Sequence, residues 1–192
     1  MDEPLTPERF AELLRAAYLA EDERLRAEFQ RSLPFQDAMF DRWERANRLG
    51  FAAGASIYNS AAVFGEVTVG ASTWIGPNTL LDGSGGGIEI GAYCSISSGV
   101  HIYTHDTVLW ALSGGKLQPK HASVRIGDCA YIGSQSVIAA GVTIGSRCVV
   151  AANSFVNADF REATIVGGTP ARKIGMVVGE GEQVRMIFDS KG

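Results

Sequence analysis

Basic residues are in the minority in this chain: 17 lysines and arginines stand against 21 aspartates and glutamates, for a net charge of −4 and a pI near 5.4. Without a basic field to hold a phosphate backbone, no nucleic acid is expected as a partner. No apolar run approaches bilayer length, and the start Met1-Asp2-Glu3-Pro4-Leu5-Thr6-Pro7-Glu8-Arg9 lacks the charged-then-apolar pattern of a secretion signal. A cytoplasmic protein with no membrane span is the expectation. Cysteine is scarce, and 3 residues without close metal-type spacing suit a reducing compartment. Histidine is equally scarce at 3. With 192 residues, 46% of them hydrophobic, the chain can build one sizeable core but not two large domains.

What is present is a beat. Aliphatic residues recur at every sixth position: Ile57, Val63, Val69, Ile75 and Leu81, then, after a three-residue slip, Ile90, Ile96 and Ile102, then Ile126, Ile132, Ile138, Ile144, Val150 and Val156. Glycine often follows the aliphatic (Gly70, Gly76, Gly91, Gly127, Gly133, Gly145). A small or β-branched residue stands four places after it (Ala61, Val67, Thr73, Thr79, Cys94, Val100, Ala130, Ser136, Val142, Cys148, Ser154). Neither a helix nor an ordinary strand has this period. One large and one small inward residue per repeat fill a narrow prism, with glycine permitting the corner backbone. The pattern predicts an all-β solenoid whose rungs bond only to the rungs above and below, so both ends need covering. Cys94 and Cys148 fall in the small inward column and Cys129 one place before it, which makes all three packing residues before anything reactive.

The sequence divides into three parts. Residues 1–50 are charged and helical in rhythm. A helix start at Thr6-Pro7-Glu8-Arg9 is followed by a face of Phe10, Leu13, Leu14, Ala17 and Tyr18, and after Pro34 comes a second helix carrying Met39, Trp43 and Ala46. These read as a cap over the first open rung, with a role in positioning an acceptor as the alternative. Residues 51–175 hold the solenoid, and 176–192 form a tail in which Met176–Val178 and Val184–Phe188 flank Gly179-Glu180-Gly181-Glu182 like a short hairpin.

The beat is interrupted between Ile102 and Ile126, where 103–123 project as a loop bearing His105, Asp106, Trp110, Lys116 and His121, with His101 just before it. Long loops on rigid scaffolds are where function tends to sit. If a rung is three hexapeptides, one step down from His105 lands near Asp82-Gly83-Ser84 and one step up lands near Gly141. The expected site is a groove where the loop's base meets Asp82 to Ser84, with a carboxylate placed to orient an imidazole or hold a substrate hydroxyl.

These residues resemble the hexapeptide-repeat acyltransferases, over roughly residues 50 to 175. The resemblance implies that the solenoid is a left-handed parallel β-helix, here preceded by the N-terminal helical segment, and that it works as a homotrimer. Gly99-Val100-His101-Ile102-Tyr103-Thr104-His105-Asp106 is similar to the segment that delivers the catalytic histidine in the maltose and galactoside acetyltransferase branch, where the second histidine is the base; this favours His105 over His101. Tyr131-Ile132-Gly133-Ser134 resembles a segment whose aromatic residue and serine backbone amide lie at the thioester. Gly168-Thr169-Pro170-Ala171-Arg172 resembles the closing signature that borders the coenzyme A site; by the same match Ala152 and Asn157 contact coenzyme A and Arg172 meets its phosphates. The pairing of Asp82-Gly83-Ser84-Gly85-Gly86 with Tyr103-Thr104-His105-Asp106-Thr107 is similar to sugar O-acetyltransferases of surface-polysaccharide pathways. The chain departs from the family at Asn157-Ala158, where a Thr-Lys step is usual, at Tyr131 in place of tryptophan, and at Asp106 in place of proline.

The resemblance therefore implies acetyl transfer from acetyl-CoA to a sugar or nucleotide-sugar hydroxyl. In that reading His105 is the general base, the Ser134 amide is the oxyanion donor, and Asp82, Ser84, His101, Asp106 and Trp110 lie toward the acceptor. No serine or cysteine stands in a nucleophile motif, so a ternary complex is expected rather than an acyl-enzyme. An amino-sugar acceptor would give N-transfer with the same base. Two other classes stay open: a zinc hydratase resembling the carbonic anhydrase built on such solenoids, and a non-catalytic trimeric scaffold. No resident metal is expected, because the histidine positions do not repeat by whole rungs.

Overall fold

The computed structural model describes residues 5–189; 1–4 and 190–192, at the tips of the terminal segments, lie outside the described residues. The six-residue beat becomes a coil of short parallel strands arranged as three faces. On the first face, Ser56–Ile57, Trp74–Ile75, Ser95–Ile96, Tyr131–Ile132, Val149–Val150 and Thr164–Gly168 stack in order. The second stacks Ala62, Leu80, His101, Val137 and Phe155, each with the aliphatic that follows it. The third stacks Val69, Ile90, Ile126 and Ile144 and ends on a bridge to Phe160. Partners are eighteen positions apart, as Ile57 and Ile75 are; the slip stretches this to twenty-one between Ile75 and Ile96. The coil continues past Val156, because a shortened last turn sets Val150 beside Val166.

The aliphatics of the beat form the buried axis, with Ile57, Ile75, Ile96, Ile132 and Ile138 all at 0% exposure. The hydroxyls in the small column are bonded to backbone carbonyls: Thr73 donates to Gly91 O at 2.7 Å, Ser154 to Ala151 O at 2.7 Å and Ser136 to Ala151 O at 3.0 Å. This is why polar residues can stand in a dry prism.

Three expectations are corrected. The repeat glycines are not needed for an unusual φ: positive φ falls at the second residue after each, on Ser72, Asn78, Tyr93, Cys129, Gln135 and Arg147. They are needed for space, since a Cβ on Gly133 would sit 2.5 Å from the Ala152 nitrogen one rung away. Cys129 lies on such a corner and is exposed, whereas Cys94 and Cys148 are buried; burial pushes both of those thiols up from their ordinary pKa. Finally, helix α1 (Pro7–Phe29) does not lay its apolar face on the first rung. Phe10, Leu13 and Leu14 are exposed, only Asp22 and Leu25 of α1 are buried, and the helix packs through Tyr18 on Phe35 of α2 (Phe35–Met39).

The rung is closed instead by α3 (Arg42–Arg48), which Asp41 caps by accepting from the Trp43 and Glu44 amides. Ala46 is 1% exposed, and the Arg45 guanidinium donates to two carbonyls of the first rung, that of Ala61 and that of Tyr58, which also accepts from the Ala61 amide. At the other end Ala171–Val178 turns back antiparallel on Thr164–Gly168, and Arg185–Phe188 adds a further antiparallel strand. No helix among the described residues is long and apolar enough to cross a membrane.

Candidate active site

Two irregularities of the coil meet at one corner, between the second and third faces. The first is the glycine-rich run of Leu80–Ile90, which carries the slip. The second is the excursion, which leaves the second face after His101–Tyr103, forms the strand His105–Asp106 and helix α4 (Val108–Leu112), and returns through Lys120–His121. The two excursion strands pair antiparallel, with His105 opposite His121 and Asp106 opposite Lys120. The excursion stacks one rung from the glycine run, and Asp82 pairs in register with Tyr103.

Thr104 locks the two together. It is fully buried, its hydroxyl donates to Asp82 O at 2.7 Å, and it accepts from the Gly85 amide at 2.8 Å. A Cβ on Gly85 would stand 2.7 Å from the His105 Cβ, so glycine is what lets the histidine strand approach. Asp82 and His105 are thereby brought face to face, with Nδ1 3.7 Å from Oδ2. That separation is within ion-pair range but too long for a hydrogen bond, and the buried Nδ1 has no hydrogen-bond partner among the described residues. The other carboxylate oxygen is held by Ser84, whose hydroxyl donates to Oδ1 at 2.5 Å and whose amide donates at 3.2 Å. The His121 ring stands edge-on to that of His105, with centroids 6.1 Å apart.

His101 is not part of this cluster. It lies in the outward row of the second face, and its Nδ1 is 3.3 Å from the Tyr103 hydroxyl. Asp106 accepts from the Val108 amide at 3.1 Å and so starts the turn into α4. Trp110, on α4, is 48% exposed, which leaves its ring available to a ligand. Sequence reasoning missed Thr104 and gave no role to His121; the only signal for either was adjacency to Asp82 and His105 once the rungs are stacked. Among the described residues, no group of three His, Cys, Asp or Glu side chains is arranged to hold a metal ion.

All the residues matched to coenzyme A except Asn157, which follows Phe155–Val156 and lies past the second face, gather at a different corner, between the first and second faces. Ser134 and Ala152 occupy it one rung apart, and Asn153 donates its amide to Ser134 O at 2.9 Å. The next layer is Gly168 and Thr169: the Gly168 amide donates to Ser154 Oγ at 3.2 Å and the Thr169 hydroxyl to Asn153 O at 3.3 Å. The Thr169–Pro170 peptide is cis. Tyr131 flanks the column on the first face at 45% exposure. Arg172 and Asn157 are exposed, Arg172 on the return strand and Asn157 just after Phe155–Val156. Within one chain, then, the second face separates the His105 corner from the Ser134 corner.

The family model for bacterial transferase hexapeptide repeats (six repeats) matches residues 123–158. The hexapeptide-repeat acetyltransferase VCA0836 of Vibrio cholerae, solved with acetyl coenzyme A, is 30% identical, with 92% of each chain covered and a TM-score of 0.57. The chain belongs to the hexapeptide-repeat transferase family. A mutant of AntD, an N-acyltransferase from Bacillus cereus solved with dTDP and coenzyme A, is 29% identical over 66% of this chain and 72% of its own, with a TM-score of 0.60. The carnitine operon protein CaiE of Escherichia coli is 36% identical over 126 residues, which is 62% of this chain; the match spans 64% of the CaiE length.

Proposed function

We propose that this hexapeptide-repeat protein is an acetyl-CoA-dependent acyltransferase that acetylates a sugar or nucleotide-sugar hydroxyl, with His105 as general base. The observation that carries the reading is the Asp82–His105 pair, with Nδ1 turned to a carboxylate that Ser84 fixes in place. A carboxylate facing Nδ1 favours the tautomer protonated there, which leaves Nε2 with a lone pair for an incoming hydroxyl. An alcohol is a poor nucleophile near neutral pH, and a positioned imidazole accelerates such a step by about 10²–10⁴-fold.

Acetyl-CoA would supply the activated acyl thioester. The column of exposed Tyr131, Ala152, Thr169 and Arg172 around half-buried Ser134 suits its pantetheine and phosphates: small side chains let a thin ligand approach the backbone, and the arginine supplies a positive charge. No acceptor for the Ser134 amide is found among the described residues, so this N–H is free to bond the acyl oxygen as charge develops there. His105 takes the hydroxyl proton as the oxygen attacks and returns it to the departing sulfur.

The base and the coenzyme column lie at different corners, so one chain alone does not assemble the site. We therefore place the site between subunits of a homotrimer of left-handed coils. In support, the outward row of the second face is largely apolar (Ala62, Leu80, Val137 and Phe155, with His101), whereas that of the third is polar (Thr68, Glu89, Arg125 and Thr143) and carries the 3.2 Å Glu89–Arg125 ion pair. Transfer to an amino sugar is a second reading, favoured by the likeness to AntD, and uses the same groups. The test is His105→Ala: turnover with acetyl-CoA on a panel of sugars and nucleotide sugars should fall by about 10²–10⁴-fold while coenzyme A binding, measured by calorimetry, is kept. Near-wild-type turnover would reject the assignment.

A further inference from the structure

The last strand, Arg185–Phe188, is the outermost member of its sheet, and no strand among the described residues pairs with its outer edge. All four residues are exposed, and Met186, Ile187 and Phe188 are each more than half exposed. An open, apolar edge of this kind is a template for another strand, and natural edges are normally blunted by charge, proline or a bulge. None of these interrupts Met186-Ile187-Phe188.

The ladder determines which groups point outward. The Asp189 amide donates to Ile174 O at 2.9 Å. Because antiparallel pairs alternate between bonded and non-bonded, Asp189, Ile187 and Arg185 spend their backbone groups on the preceding strand. The amides and carbonyls of Met186 and Phe188 therefore face the open edge. A second copy of the strand related by a two-fold axis can use both residues in only one register, with Met186 opposite the other copy's Phe188 and Ile187 opposite its own equivalent. That same register sets Arg185 against the other copy's Asp189. Neither side chain has an ion pair among the described residues.

We propose that Arg185–Phe188 is a self-pairing edge, joining the sheets of two copies of the chain by an antiparallel strand pair with Ile187 at its centre. The side chains agree with the backbone. Met186 and Phe188 meet across one face, while the two Ile187 side chains meet on the other, beside Met176. The charged pair closes each end. This association is independent of the trimer proposed above, because it uses a strand outside the solenoid's second face.

The experiment is a mass measurement by sedimentation and light scattering on the full chain. Wild type should have twice the mass of Met186→Pro, because proline at that position removes an outward amide and leaves the bonds to Ala171–Val178 in place. Arg185→Glu should also halve the mass, by opposing like charges, and adding Asp189→Arg to it should restore the doubled mass. Equal masses for wild type, Met186→Pro and Arg185→Glu would overturn the proposal, as would a double charge swap that stays at half mass. The readout is a ratio of two for a monomer, and for a trimer whose three edges close on one partner trimer; it reads the edge and not the acetyl transfer, so its failure leaves the acyltransferase reading untouched.

Discussion

The two corners that bound the second face are built in opposite ways. The Ser134 corner is the repeat itself, one small residue laid over another: Gly133 and Ser134 on Ala151 and Ala152, then Gly167 and Gly168. The Asp82–His105 corner consists of the two places where the repeat fails. A slip of three residues is harmless alone, and an excursion alone is a loop in solvent. Stacked, they give a buried imidazole edge facing a carboxylate. Regular corners can line a channel for a long, uniform ligand, whereas chemistry needs side chains that converge, and here convergence comes only from irregularity.

Asp82→Asn would test this contrast most sharply. It keeps the bond from Ser84 but removes the charge that faces His105, so kcat should fall by up to about 10²-fold, less than removal of the proposed base, with the KM for acetyl-CoA unchanged. An unaltered kcat would mean that the pair is structural. The next largest effect compares the same insult at both corners. Gly133→Ala puts a Cβ 2.5 Å from a backbone nitrogen in the regular stack and should cost about 1–3 kcal/mol of stability in denaturant unfolding. Gly85→Ala meets Thr104 O at 2.4 Å and the His105 Cβ at 2.7 Å, so relieving the clash displaces the histidine strand itself. Its damage should appear in kcat rather than in the unfolding midpoint, and the reverse pattern would erase the distinction between the corners.

Arg172→Ala should raise the KM for acetyl-CoA about 10-fold with little change in kcat, as expected for loss of one charge-assisted contact. An equal fall in kcat would place Arg172 nearer the chemistry. The smallest effect concerns the thiols. In native protein a thiol reagent near pH 8 should label Cys129 and spare Cys94 and Cys148, whose ionisation burial disfavours. Their raised folded pKa means that the unfolded chain loses its protons first. The thiols' contribution to stability is therefore intact below the unfolded value of about 8.5 and is lost as pH rises through the folded values, giving a slightly steeper alkaline decline than in the Cys94→Ser variant.

Much of the scaffold was legible in the residues. The spacing of Ile57, Ile75, Ile96 and Ile132 gives the parallel stack directly, because a prism admits one large and one small inward side chain per repeat and nothing else fits. The nearness of Asp82 to His105 also followed from counting rungs. The use of glycine was misjudged because a sequence shows which residue is small but not what it must avoid. The place of α1 was misjudged for a related reason: Phe10, Leu13 and Leu14 mark an apolar face without saying what covers it, and Pro34 with the short α2 carries that helix off the rung that Ala46 and Arg45 of α3 close.

By itself, then, the sequence determined the coil, its register and the corner where its breaks coincide, since these depend on local periodicity and on stacking between neighbouring rungs. Only the tertiary structure decided that Thr104 ties the two breaks together, that Nδ1 of His105 turns toward Asp82, and that the amides of Met186 and Phe188 face an open edge. Each of these depends on the direction of a bond across a rung or strand, and direction is fixed by the packing of segments that the repeat does not govern.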